Sequence, residues 1–182
     1  MRKNKINQAD KILQQGGVIL YPTEGVYGLG CDPFNETAVI RLLKTKNRSI
    51  TKGLILIAAN WQQVKGLIKS DLGKRAPSKK NKEPITWVFP ATKKVPCWIT
   101  GKFSTVAIRV TSHPLAKKLC RKFGGPIVST SANLTKAKPI KKISELDEKI
   151  LIGVDFVVSG SLGKLGRPTK ICDFRTGKFF RE

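Results

Sequence analysis

The sequence is 182 residues long and 40% hydrophobic, which fits one domain over 1–182 with a real core and excludes a disordered chain. Its longest apolar run, Leu54-Ile55-Leu56-Ile57-Ala58-Ala59, is far too short to cross a bilayer, and no apolar segment follows the basic start. No membrane contact and a cytoplasmic location are therefore expected. A net charge of +23 suggests a polyanionic partner such as RNA, although a compositional drift toward lysine produces the same charge without a function.

In chain order, Asn7 to Asp10 resembles a helix cap, with Ile12 and Leu13 as anchors and Gly16-Gly17 as the stop. Val18 to Tyr21 reads as a buried strand, and Asn35 caps a helix over Thr37 to Lys44, apolar at Ala38, Val39, Leu42 and Leu43. Leu54 to Ala58 is a strand, and Asn60 caps a helix to Lys69. Residues 71–84 are lysine- and proline-rich and read as a solvated loop. Strands follow at Ile85 to Phe89 and Thr105 to Val110. His113-Pro114 opens a helix to Phe123, which Gly124-Gly125 ends before a strand over Pro126 to Val128. A short helix over Ser144 to Lys149, a strand over Phe156 to Ser159 and a hairpin of Thr169 to Phe174 with Lys178 to Arg181 complete an α/β or α+β pattern.

Four segments stand out as candidate sites. Tyr21-Pro-Thr-Glu-Gly-Val-Tyr-Gly-Leu-Gly30 carries a hydroxyl and a carboxylate on a proline-fixed bend, then glycines that permit close approach to a ligand. The same letters also suit a plain strand-turn-strand corner, and the spacing is neither a Walker A loop nor Gly-x-Gly-x-x-Gly. Lys46, Arg48 and Lys52 crowd one connection and could clamp a triphosphate, or form a solvated basic loop; Arg48 decides, because its planar fork binds phosphate oxygens in pairs. Arg109 interrupts an apolar strand and needs an anion, from a ligand or from a structural ion pair. Ser129-Thr-Ser-Ala-Asn133 ends a strand with small polar residues. A serine nucleophile there would depend on His113, the one histidine, whose place before Pro114 suits a helix cap. The four cysteines are scattered, so no zinc site is expected and the thiols are expected to be reduced.

Taken together the segments resemble the threonylcarbamoyl-adenylate synthase family, of the TsaC/YrdC type in its short form. The resemblance rests on Tyr21 to Gly30, Ala38-Val-x-Arg41-Leu42 leading to Lys46-x-Arg48, and Lys52-Gly-Leu-Ile-Leu-Ile-Ala58. It continues through Val106 to Pro114 and Ser129 to Leu134, in family order, and covers residues 6–182. It implies a twisted, open, mostly β sheet flanked by helices with a basic concave cavity. It also implies synthesis of L-threonylcarbamoyladenylate and diphosphate from L-threonine, bicarbonate and ATP, for the t6A37 modification of tRNAs that read codons beginning with A. Carried over by motif, Lys46, Arg48, Lys52, Thr105, Ser131, Asn133 and Arg181 would bind ATP, with Lys46 and Arg48 as the catalytic cations. Thr23, Arg109 and Ser129 would bind threonine. Mg²⁺ would arrive with ATP, no protein metal site being expected, and proteins of the t6A transferase complex would take the product. This chain departs from the family at Ser49, where a proline is common, at Ile57, where long forms carry a histidine, at Lys82-Glu83-Pro84 and at Asn133-Leu134-Thr135-Lys136.

Such chemistry needs no protein nucleophile, only in-line alignment and positive charge on the developing phosphorane. The alternative is a non-catalytic module binding tRNA or double-stranded RNA. A hydrolase is the weaker third reading, because nothing places a base beside the serines.

Overall fold

A computed structural model describes residues 2–69, 83–135 and 137–181. The main helices are α1 (Arg2–Gln14), α2 (Glu36–Thr45), the single turn α3 (Cys97–Thr100), α4 (Pro114–Phe123) and α5 (Glu148–Ile152). The strands are β1 (Ile19–Pro22), β2 (Tyr27–Gly30), β3 (Ile55–Ala58), β4 (Ile85–Pro90), β5 (Thr105–Val110), β6 (Ile127–Ser131), β7 (Phe156–Val157), β8 (Lys170–Asp173) and β9 (Phe179–Arg181). Among the described residues they form one mixed sheet in the order β7-β1-β2-β6-β3-β5-β4-β8-β9. Neighbours β1–β7, β3–β5 and β4–β8 run parallel and the rest antiparallel. Among the described residues no helix is long and apolar enough to cross a membrane.

Two-residue alternation along the strands gives the sheet two faces. Leu20, Leu29, Leu56, Ile108 and Val128 point to one, where α2 covers them with Ala38, Val39, Leu42 and Leu43. Ile19, Tyr21, Ile57 and Ile127 point to the other, where α1 supplies Ala9 and Leu13 and α4 supplies Ala116, Leu119 and Cys120. This second cover is partial. Further along the same face Ile55, Ala107 and Ser129 are left without a helix above them, and the molecule opens there into a cavity.

Local chemistry sets several boundaries. The Asn35 side chain accepts from Ala38 N–H, and that cap starts α2. The imidazole of His113 caps α4 with Pro114 in the first turn, and Gly124 ends the helix in the left-handed conformation. Helix α1 starts well before the expected Asn7–Asp10 cap, because Ile6, Ala9 and Leu13 extend the apolar stripe toward the N-terminus. Asn60 does cap a helix, but it is a 3₁₀ segment, Trp61–Leu67. The helix expected over Ser144 to Lys149 divides into a 3₁₀ turn at Ile143–Glu145 and α5, because the Asp147 carboxylate caps a new start by accepting from Lys149 N–H. Strand β6 continues through Ser129, Thr130 and Ser131, so the serines lie within the ladder. Of the loop expected at 71–84, residues 71–82 lie outside the described residues.

Thr23 to Val26 form the turn between antiparallel β1 and β2, so the strand-turn-strand reading of that motif holds. The turn is also pressed against the segment before β8. Gly163 N–H donates to Thr23 O (2.9 Å) and Leu165 N–H to Glu24 O (3.0 Å). A Cβ on Gly25 would lie 1.9 Å from the carbonyl oxygen of Arg167, a backbone atom that cannot swing aside. Gly25→Ala is therefore expected to cost about 2–3 kcal/mol or more in urea unfolding. Gly66→Ala, whose Cβ meets nothing within 4 Å, should change stability by less than about 1 kcal/mol.

Candidate active site

The cavity holds about 580 Å³. Its floor is one row of residues in register across five strands: Asp173 opposite Val88, Val88 opposite Ala107, Ala107 opposite Ile55, and Ile55 opposite Ser129. The β1–β2 turn forms one wall and residues 167–169 another, with Phe103 and Phe180 also lining it. Arg48, Lys52, Arg109, Arg167 and Arg181 line it against a single carboxylate, Asp173. That carboxylate already accepts from the N–H groups of Arg175 (2.8 Å) and Thr176 (3.0 Å).

Arg109 comes from the middle of β5 and is 6% exposed. Its Nε lies 3.4 Å from Oε2 of Glu24, itself 5% exposed, so the structural ion pair considered from sequence is real. The outer edge of the guanidinium faces hydroxyls only: Nη1 donates to Thr169 Oγ1 (3.0 Å) and Nη2 to Ser129 Oγ (3.5 Å). Glu24 is held from behind, its Oε1 accepting from Thr111 Oγ1 (2.7 Å) and Ser112 N–H (2.9 Å). Burial works to raise the Glu24 carboxyl, but Arg109, the Thr111 hydroxyl and backbone N–H groups outweigh it and hold it below the usual carboxylate range. The pair thus fixes Arg109 from behind and leaves its planar edge toward the cavity, a geometry suited to a carboxylate.

Two more guanidinium groups are drawn close. Arg48 donates through Nη2 to Gly53 O (2.7 Å), and burial lowers its pKa. Arg181 of β9 clasps the carbonyl of Thr169 through Nε (3.1 Å) and Nη2 (2.6 Å). Burial and then the repulsion of Arg109 and Arg48 lower its pKa, so the three cations feel one another across the cavity. Such a cluster waits for a polyanion.

Of the residues expected to bind ATP, Arg48, Lys52, Thr105, Ser131 and Arg181 line the cavity, as do all three expected at threonine, Thr23, Arg109 and Ser129. Lys46 and Asn133 do not. The Lys46 ammonium donates to the carbonyls of Ser131 and Asn133, while burial and then Arg48 push it down to about 8. The Asn133 amide donates to Leu134 O (2.9 Å) and Ala137 O (2.6 Å) and so folds its own loop. Ile57, where long forms carry a histidine, is buried beneath the helical cover. Four lining residues, Arg167, Thr169, Phe103 and Phe180, carry no local pattern that marks them in the sequence. Only the return of β8 and β9 to the far edge of the sheet brings Thr169 to Arg109 and Phe180 to the cavity.

Catalysis by a serine has no base here. Ser129 faces a cation, and His113 uses Nδ1 to accept from Ala116 N–H (3.4 Å) while Nε2 lies 3.0 Å from Ser161 O. The four cysteines are free thiols, and burial above all pushes Cys120 up to about 12. Among the described residues no three His, Cys, Asp or Glu side chains gather to hold a metal. With Glu24 and Asp173 both engaged, the walls do not suit a protein-held cation.

The family model described as "Telomere recombination" (Sua5/YciO/YrdC) matches residues 11–182. The threonylcarbamoyl-AMP synthase of Coxiella burnetii (strain RSA 493 / Nine Mile phase I) is 51% identical over 181 residues, covering 97% of this chain and 96% of that one. The enzyme of the same name from Escherichia coli (strain K12) is 43% identical over 187 residues, covering 100% and 97%. Among solved structures, P. abyssi Sua5 complexed with L-threonine superposes with a TM-score of 0.82 at 29% identity, over 95% of this chain and 52% of that one. E. coli YciO does so with a TM-score of 0.84 at 27% identity, over 100% and 90%.

Glu24→Ala leaves the Arg109 charge buried without its anion and is expected to cost about 3–5 kcal/mol. The folded Glu24 titrates below its ordinary 4.5, so its contribution is fully present above that value and is lost as pH falls through the lowered one. Urea midpoints taken from pH 7 down to about pH 3 should therefore fall less steeply for Glu24→Gln than for the wild type.

Proposed function

We propose that the chain, which belongs to the Sua5/YciO/YrdC family, is a threonylcarbamoyl-AMP synthase. It makes L-threonylcarbamoyladenylate and diphosphate from L-threonine, bicarbonate and ATP, a nucleotidyl transfer in the cytoplasm that serves t6A modification of tRNA. The observation that carries this reading is identity of 43–51% to synthases of that name over nearly the whole chain. The cavity supports it, with its cations and the hydroxyls of Thr23, Ser129, Ser131 and Thr169 along one lining.

In this reading the threonine carboxylate takes the outer edge of Arg109, with Ser129 and Thr23 beside it. The amine of threonine attacks the carbon of bicarbonate, water leaves, and N-carboxythreonine forms. An oxygen of the new carboxylate then attacks the α-phosphorus of ATP. The bond to the β-phosphate oxygen breaks and diphosphate departs; a magnesium ion brought on the phosphates would help neutralise their charge. Three anionic groups must approach one another, and that repulsion is the main obstacle. Arg48 and Lys52 on the triphosphate and Arg181 over the nucleotide offset it, their charge already assembled before the substrates enter. Thr105 and Ser131 contact the nucleotide from the floor and wall.

The product passes to the t6A transferase proteins, and the +23 charge supports contact with tRNA along that route. A non-catalytic RNA-binding module accounts for the charge but gives no ligand to the cavity edge of Arg109.

Arg48→Ala tests the assignment. Diphosphate release dependent on threonine and bicarbonate should fall by about 10²-fold or more while the fold survives. Turnover like the wild type's would remove Arg48 from the mechanism.

A further inference from the structure

Lys46 and Arg48 stand two residues apart on one basic connection, yet they face different parts of the molecule. The cause is Asn47, whose φ of 48° is the one positive value at a non-glycine among the described residues. Helix α2 closes in a Schellman motif around it: Arg48 N–H donates to Leu43 O (2.9 Å) and Asn47 N–H to Lys44 O (3.0 Å). The left-handed residue turns the chain between the two cations. Arg48 is left on the cavity wall, and Lys46, the cap residue, is left against the end of β6.

Lys46 is 3% exposed, and its ammonium donates to the carbonyls of both Ser131 and Asn133. The same segment returns the contact. Thr135 N–H donates to Lys46 O (3.2 Å), and its hydroxyl lies 3.0 Å from Lys46 O and 2.9 Å from Asn47 O. The last turn of α2 and the stretch from Ser131 to Thr135 are thus stitched in both directions. Of the two residues whose carbonyls Lys46 holds, Ser131 lines the cavity and Asn133 does not. For the ammonium to reach a phosphate it would have to abandon two carbonyls in a buried place, leaving them unpaired.

We propose that Lys46 is a positioning residue of the nucleotide site, tying α2 to the end of β6 and so setting the Ser131 wall, without touching phosphate. This rests on the synthase reading of the cavity. It gives the two cations separate roles, in which Arg48 meets the polyphosphate and Lys46 shapes the surface against which the nucleoside part lies.

The test is calorimetric binding of AMP, ATP and inorganic tripolyphosphate to the full chain, for the wild type, Lys46→Met, Thr135→Val and Arg48→Ala. A positioning role predicts that Lys46→Met weakens AMP and ATP by the same factor, about tenfold or more for a lost charged hydrogen-bond pair, and leaves tripolyphosphate unchanged. Thr135→Val, which cuts the stitch from the other side, should show the same pattern on a smaller scale. Arg48→Ala should show the opposite one, losing ATP and tripolyphosphate and sparing AMP. Selective loss of ATP and tripolyphosphate in Lys46→Met overturns the proposal. Should Lys46→Met fail to fold, unchanged AMP and ATP affinity in Thr135→Val overturns it instead. A wild type that binds neither nucleotide overturns the synthase reading, and this proposal falls with it.

Discussion

A guanidinium in an interior strand of a sheet must be satisfied where it stands, and much of this molecule is arranged around that requirement. Arg109 meets it with Glu24 on one edge and the hydroxyls of Thr169 and Ser129 on the other. Each partner arrives on a different element: Glu24 on the β1–β2 turn, Ser129 on β6, and Thr169 at the entry to β8. The ion pair therefore joins the two halves of the sheet, and it does so at the back of the cavity. Burying such a pair brings little net stability by itself, because both ions lose water. What it secures is direction. The charged edge that remains available is aimed at one place, and a small carboxylate can be held there in a fixed orientation.

The remaining cations act on a different scale. Arg48, Lys52 and Arg181 come from the connection after α2 and from the last strand, at the rim rather than the centre of the sheet. Burial first, and then the charges of Arg109 and Arg48, hold the Arg181 guanidinium below its ordinary range, so repulsion among these three arginines is carried by the free protein. In a synthase, a polyphosphate bound there would relieve that repulsion and meet a field already assembled for phosphoryl chemistry. The helices complete the division: α1 and α4 make half of one face dry and rigid, and the half they leave open becomes the working surface.

Much of the fold was legible where a local cause sets an element. The Asn35 cap of α2, Pro114 at the start of α4 and the alternation in β5 each follow from neighbours in sequence. Illegible features had distant causes. Strand β2 is only one of two readings of its segment, because its glycines are small for a reason elsewhere: a Cβ on Gly30 would strike Val128 O at 2.6 Å and the Tyr21 ring at 2.8 Å. The Glu24 partnership is invisible along the chain because the turn meets β5 only after the sheet assembles. Lys46 shows the limit of counting charges, since a single left-handed residue decides that it and its neighbour Arg48 serve different surfaces. The family resemblance identified which residue types gather. The sheet register decided which of them meet.

A synthase must bring threonine, bicarbonate and ATP together on one sheet face. Incubating the wild-type chain with ATP, L-threonine and ¹³C-bicarbonate, then following the label into nucleotide products by mass spectrometry, tests it most directly. The expected product is an adenylate carrying both the threonine and the labelled carbon, formed together with diphosphate and absent when any one substrate is withheld. Diphosphate or AMP released at the same rate without threonine, with no label in the adenylate, would contradict it.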